Sequence, residues 1–181
     1  MRKVILTIFI IAFADNTTAS ESLQLEAQGL TQQFVGQLKP QLKKAMTEGG
    51  PALAIEVCAS AAPKIADSLS AKSGWIVRRV SLKSRNASRA SPNDWERAIL
   101  EQLDQRQTAG ETAANLNYSE TVGRQYRYMQ AQGVEPLCLI CHGENLSEPV
   151  RDTIMQYYPD DQATGYKLGQ IRGAISLTKE L

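Results

Sequence analysis

Apolar residues recur at three- and four-residue spacing through the early part of the chain. Leu23, Ala27, Leu30, Phe34, Leu38 and Leu42 share one side, with polar residues between them, and this predicts a helix over 21–47. Pro40 falls inside it and predicts a kink or interruption, because proline removes a helical donor. Gly49-Gly50-Pro51 reads as a turn, with Pro51 at the first position of a second helix. That helix, PALAIEVCASAA, carries Ile55, Cys58 and Ala62 on one face; Pro63 predicts a bend and Gly74 a stop.

The period then changes. WIVRRVSL, residues 75–82, is rich in β-branched residues and predicts a strand. KSRNASRASPN, residues 83–93, is polar and reads as a loop. Ser91-Pro92-Asn93-Asp94 resembles a capping box with proline at the first helical position, opening a helix through Trp95, Ile99 and Leu103 to about Gln107. Segments 114–120 and 121–130 alternate and are expected to pair as strands. A short helix over 149–157, the turn YPDDQATG and a final strand IRGAISLT complete the pattern. Helices in front and strands in the middle and at the end predict an α+β domain built on an antiparallel sheet.

The first residues carry a different signal. Arg2 and Lys3 precede an apolar run from Val4 to Phe13, and Ala12-Phe13-Ala14 forms a small-x-small site. This predicts a signal peptide over 1–14, with cleavage after Ala14 or as late as 19. The run is about half the ~20 residues a spanning helix requires, and no later stretch is long and apolar enough to span. The expected product is a soluble, exported or periplasmic protein, a single domain over 21–181. Lys and Arg total 20 against 19 Asp and Glu, so no net field draws the chain to nucleic acid or an anionic membrane.

Export sharpens the cysteine arithmetic. There are three cysteines and one histidine, and CLICHG, residues 138–143, holds Cys138, Cys141 and His142. An odd count does not make a disulfide framework. Cys138-Leu139-Ile140-Cys141-His142 matches the C-x-x-C-H haem c attachment motif. Two thiols at this spacing reach the two vinyl groups on one porphyrin edge, and the adjacent histidine becomes an axial ligand. A zinc site would need all three cysteines and the histidine, with no second close-spaced pair. A thioredoxin-like pair would need a βαβ context that this region lacks. One covalent haem c is therefore the expected cofactor.

The second axial position has several candidates: Met46, Met129, Met155, Cys58 or a lysine. Methionine at helical spacing is usually core, and Cys58 is either a ligand or an inert buried thiol. Arg78, Arg79, Lys83, Arg85 and Arg89 form a basic cluster, read either as a solvated face or, for Arg78, Arg79, Lys83 and Arg85, as contacts to haem propionates. Trp75, Tyr126 and Tyr128 could line the pocket or be plain core.

AIEVC, VRRVSLKSRNASRASPNDWE, PLCLICHG and YPDDQATGYKLGQIRGAISL, in that order over residues 30–180, resemble a family of c-type haem proteins. Its members include a cyanobacterial haem protein and haem sensor modules fused to bacterial kinases. The resemblance implies a PAS-like antiparallel sheet with N-terminal and flanking helices around one covalent haem. It also implies axial ligation by the motif histidine and a distant cysteine, here His142 and Cys58. Three roles follow: one-electron transfer with a redox partner, redox or gas sensing (CO or NO) reported to a partner, and, least expected, a haem enzyme. The last would want a distal acid/base group, and the chain has no second histidine.

Overall fold

A computed structural model describes residues 15–181 of the chain; the signal peptide expected over 1–14 lies outside the described residues. Helix α1 spans Asp15–Ser73 and departs from helical geometry only at Gly50 (φ 69°, ψ −160°). Glycine adopts this left-handed φ without steric cost, and Pro51 then opens the second arm with a preset φ. The break therefore falls at the predicted turn. Pro40 does not interrupt the helix, which also runs on through Pro63. Leu30, Phe34 and Leu38 of the first arm share one core with Ile65, Ala66 and Leu69 of the second, so each arm covers the apolar stripe of the other.

The chain continues through β1 (Ile76–Val80), the single helical turn α2 (Ala87–Ala90) and α3 (Asp94–Thr108). Then come β2 (Asn117–Val122), β3 (Gln125–Gly133), α4 (Leu139–His142), α5 (Glu148–Tyr157) and β4 (Ile171–Glu180). The loop expected over 83–93 thus contains a helical turn. The cap of α3 is Asn93, not Ser91: its side chain accepts from the Glu96 amide (2.8 Å), and Glu96 Oε2 accepts from the Asn93 amide (2.9 Å). Asn93 wins because Glu96 stands at the third helical position from it, the spacing a capping box requires.

The four strands form one antiparallel sheet in the order β1-β4-β3-β2. The expected α+β architecture, an antiparallel sheet with flanking helices, is the one observed. Strand alternation sorts the two faces. Tyr126, Tyr128, Ile175 and Leu177 turn to α1, while Met129, Ala131 and Ala174 turn to the core beside α3. Trp75, Tyr126 and Tyr128 are therefore core. Trp75 packs edge-on to Tyr126 (6.0 Å between centroids) and donates Nε1 to Glu26 (3.1 Å). Each such ring buries enough apolar surface to contribute about 2–3 kcal/mol. At the edge strand β1, Ser70 Oγ of α1 accepts the Val77 amide (2.9 Å).

No described helix is long and apolar enough to cross a membrane.

Candidate cofactor site

A cavity of about 590 Å³ opens between the two arms of α1, the end of the sheet and the segment around α4. Such a volume suits a sizeable organic cofactor. Cys58, Cys138, Cys141 and His142 all line it, although they come from segments far apart in sequence. None of the three cysteines is in a disulfide. Among the described residues no group of three or more His, Cys, Asp or Glu side chains could hold a lone metal ion.

Local structure explains how the motif faces one way. Pro136 opens a 3₁₀ turn over Pro136–Cys138 that runs directly into α4. On a helical turn, positions i, i+3 and i+4 share a face, so Cys138, Cys141 and His142 point together. Gly143 ends the turn: its amide donates to the Leu139 carbonyl (2.9 Å) and the chain leaves extended. A Cβ there would stand 2.5 Å from the Leu139 carbonyl oxygen, closer than atoms tolerate. The segment before β4 docks alongside, with the Tyr166 amide donating to the His142 carbonyl (2.9 Å) and the Gly165 amide to that of Gly143 (3.0 Å).

His142 is oriented by its other nitrogen. Nδ1 lies 2.6 Å from the Ala163 carbonyl. A carbonyl can only accept, so Nδ1 carries the proton and Nε2 keeps a free lone pair, the form in which imidazole binds a metal. Burial, and then the Arg85 charge, pushes the His142 pKa down to about 3, with Arg79 adding to the effect and the Ala163 hydrogen bond opposing it. The ring is neutral at ordinary pH. Burial raises the Cys58 thiol, while the nearby Arg79 and Arg85 charges pull it back. Cys141 is raised by burial too, again opposed by Arg85.

The basic cluster is not one patch. Arg78 reaches the Ser91 carbonyl (2.7 Å) and Glu96 (3.7 Å). Arg89 pairs with Asp67. Lys83 lies over the Tyr166 ring (5.2 Å), outside the cavity lining. Arg85 forms a two-pronged pair with Asp161 and donates to the Cys141 carbonyl (2.5 Å). Arg78, Arg85 and Arg89 line the cavity too, and Arg79 differs from them in its partners. It lines the cavity, donates Nε to Gln132 (3.1 Å) and sits over Phe34 (5.9 Å), and no carboxylate among the described residues pairs with it. Gln132 stands where the β3–β4 register shifts, a bulge that re-aims side chains.

Of the methionines, Met46 lines the cavity, Met129 is buried in the α3-side core and Met155 is exposed. Sequence reasoning missed Phe34, Gln132, Asp161 and Ala163. Asp161 was visible only as part of a turn, and Ala163 contributes a backbone carbonyl, which no side-chain pattern announces. The residues present fit a cofactor that is apolar in body, bears a carboxylate for Arg79, and offers a metal to Nε2.

The chain matches the Tll0287-like family over residues 11–179. Its structure is similar to the crystal structure of the cyanobacterial heme-protein Tll0287, at 28% sequence identity and a TM-score of 0.63, over 92% of this chain and 97% of that one. No curated protein matches it.

Proposed function

This chain belongs to the Tll0287-like family, and from that premise we propose that it is an exported haem-binding redox protein. Cys138 and Cys141 would hold one haem, His142 and Cys58 would ligate its iron, and the protein would act in one-electron transfer. The carrying observation is the pairing at His142: Nδ1 is fixed on Ala163 while Nε2 remains free in a cavity shared with all three cysteines. The haem supplies an iron that changes oxidation state by one electron.

The chain's own residues do the rest. Cys138 and Cys141 would hold the haem as thioethers, each thiol adding sulfur to one vinyl carbon and hydrogen to the other, with no net oxidant required. Arg79 takes a propionate, because it has a full charge, a cavity position and no acid of its own. Phe34 and Gln132 hold its guanidinium in place. Arg78, Arg85 and Arg89 also line the cavity, but they are already engaged by Glu96, Asp161 and Asp67. The Cys58 thiolate favours ferric iron, so the midpoint potential lies below that of His/Met haem proteins.

A second reading is haem-based sensing. It is favoured by Cys58 standing on α1, the helix that packs on the sheet and on α5. Loss of the Cys58 bond on reduction would open the iron to CO or NO and free that helix face for a partner to read.

Absorption spectra of ferric wild type and Cys58→Ala test the ligand set. A shift on substitution supports Cys58, and identical spectra remove it from the iron. A ferrous form that binds CO quickly selects sensing, whereas redox cycling with unchanged ligation selects electron transfer.

A further inference from the structure

Arg85 and Asp161 form the most enclosed ion pair among the described residues, with side-chain exposures of 11% and 6%. A buried pair is costly to keep unless its geometry is good and its remaining groups are satisfied. The geometry is good, and the Nε and Nη2 side of the guanidinium and both carboxylate oxygens are engaged. Arg85 Nε and Nη2 meet the two Asp161 oxygens at 3.1 Å each. Arg85 Nη2 also donates to the carbonyls of Cys141 (2.5 Å) and Ala163 (3.3 Å). Asp161 Oδ1 accepts the Ala163 amide as well (2.9 Å).

The pair therefore grips Ala163 from both sides, its N–H through Asp161 and its carbonyl through Arg85. That carbonyl is the one that takes the His142 Nδ1 proton (2.6 Å). The same arginine holds the peptide immediately before His142, through the Cys141 carbonyl. Two short routes thus run from one ion pair to one imidazole. A surface salt bridge would not explain this arrangement. Neither would general packing, because every polar contact of the pair converges on the residues that orient the ring.

We propose that Arg85 and Asp161 are positioning residues for His142: they fix the Ala163 carbonyl that locks the Nδ1 proton and thereby aim Nε2 into the cavity. This rests on the reading of His142 as an iron ligand, and it adds what holds that ligand. An imidazole whose distal N–H is firmly held is a stronger donor, which stabilises the oxidised metal. Loosening the clamp weakens that donation and raises the midpoint potential.

His142 is the chain's only histidine, so ¹⁵N-histidine labelling reports a single imidazole. The haem-loaded full chain, in its ferrous state, is compared as wild type, Asp161→Ala and Asp161→Asn. Solvent exchange of the Nδ1 proton should speed up about ten-fold or more in Asp161→Ala and by less in Asp161→Asn, with a rise in midpoint potential in both. Glu111→Ala, which breaks the exposed pair with Arg106, should move neither quantity. Wild-type exchange and potential in folded Asp161 variants would overturn the proposal. If Asp161→Ala does not accumulate, the near-isosteric Asp161→Asn decides alone, and unchanged exchange there is equally fatal. An Nε2 resonance in wild type with no metal-induced shift would instead refute iron ligation by His142, and the Nδ1 exchange data would still judge the clamp.

Discussion

Gly143→Ala is a small change with a large expected cost. Gly143 has φ −72° and ψ −177°, an extended conformation open to any residue, so backbone freedom is not the issue. Space is. The new Cβ would meet the Leu139 carbonyl oxygen at 2.5 Å, and that oxygen belongs to the backbone of the cysteine-bearing turn, so it cannot swing aside. Relief requires moving the turn or the extended chain that leaves it. Overpacking of this kind costs about 1–3 kcal/mol. Weakening the Gly143 amide bond to Leu139 adds about 1 kcal/mol. Taken together, a loss of about 2–4 kcal/mol lowers the melting temperature by about 4–16 °C for a chain of this size. Gly36→Ala is the matched control of opposite sign. It lies on an exposed helical face with nothing within 4 Å of the added Cβ, so alanine should stabilise by about 0.5–1 kcal/mol. Thermal unfolding followed by circular dichroism measures both. A Gly143→Ala melt within a degree of wild type would refute the steric argument, and so would a Gly36→Ala variant that loses as much.

Other outcomes are equally specific. Phe34→Ala removes a fully buried ring from the core between the arms and should cost about 3–5 kcal/mol by denaturant titration; a cost below 1 kcal/mol would show that the cavity wall collapses onto the gap. Glu26 is held below its ordinary pKa by the hydrogen bond from Lys179, with burial opposing and Trp75 helping. Its stabilising effect is therefore present above the unfolded-state value and is lost as pH falls through the folded one. Glu26→Gln should cost under about 1 kcal/mol at pH 7, because the pair is half-exposed, and the difference from wild type should vanish in acid. An equal difference at both pH values would contradict that linkage. Arg79→Met removes a cation that no carboxylate among the described residues balances, so the midpoint potential of the haem-loaded chain should fall, since a nearby positive charge favours the reduced iron. An upward shift in voltammetry would exclude Arg79 from the iron's surroundings.

Much of this molecule is legible in one dimension because two periods carry the information. The stripe from Leu23 to Leu42 specifies a helix that has to bury one face, and the alternation along 121–130 announces strand, although the turn falls after Val122 and β3 buries both of its faces. The Gly50 break, the final strand and the shared direction of Cys138, Cys141 and His142 follow from similarly local rules. The placement of Cys58 does not. The periodicity puts its side chain on an apolar face, yet only the folding of the first arm back over the second, with the α4 segment against them, brings it to the cavity of His142. The basic run shows the same limit. Alternation separates Arg78 from Arg79, but which of them faces α1 depends on which side of β1 that helix covers. The clamp on His142 is still less visible, because its central atom is the carbonyl oxygen of an alanine, a group every residue possesses. Short-range spacing decided which residues could act together within a turn; long-range packing decided which carbonyl, cation and thiol met them, because those contacts join segments whose proximity no local period encodes.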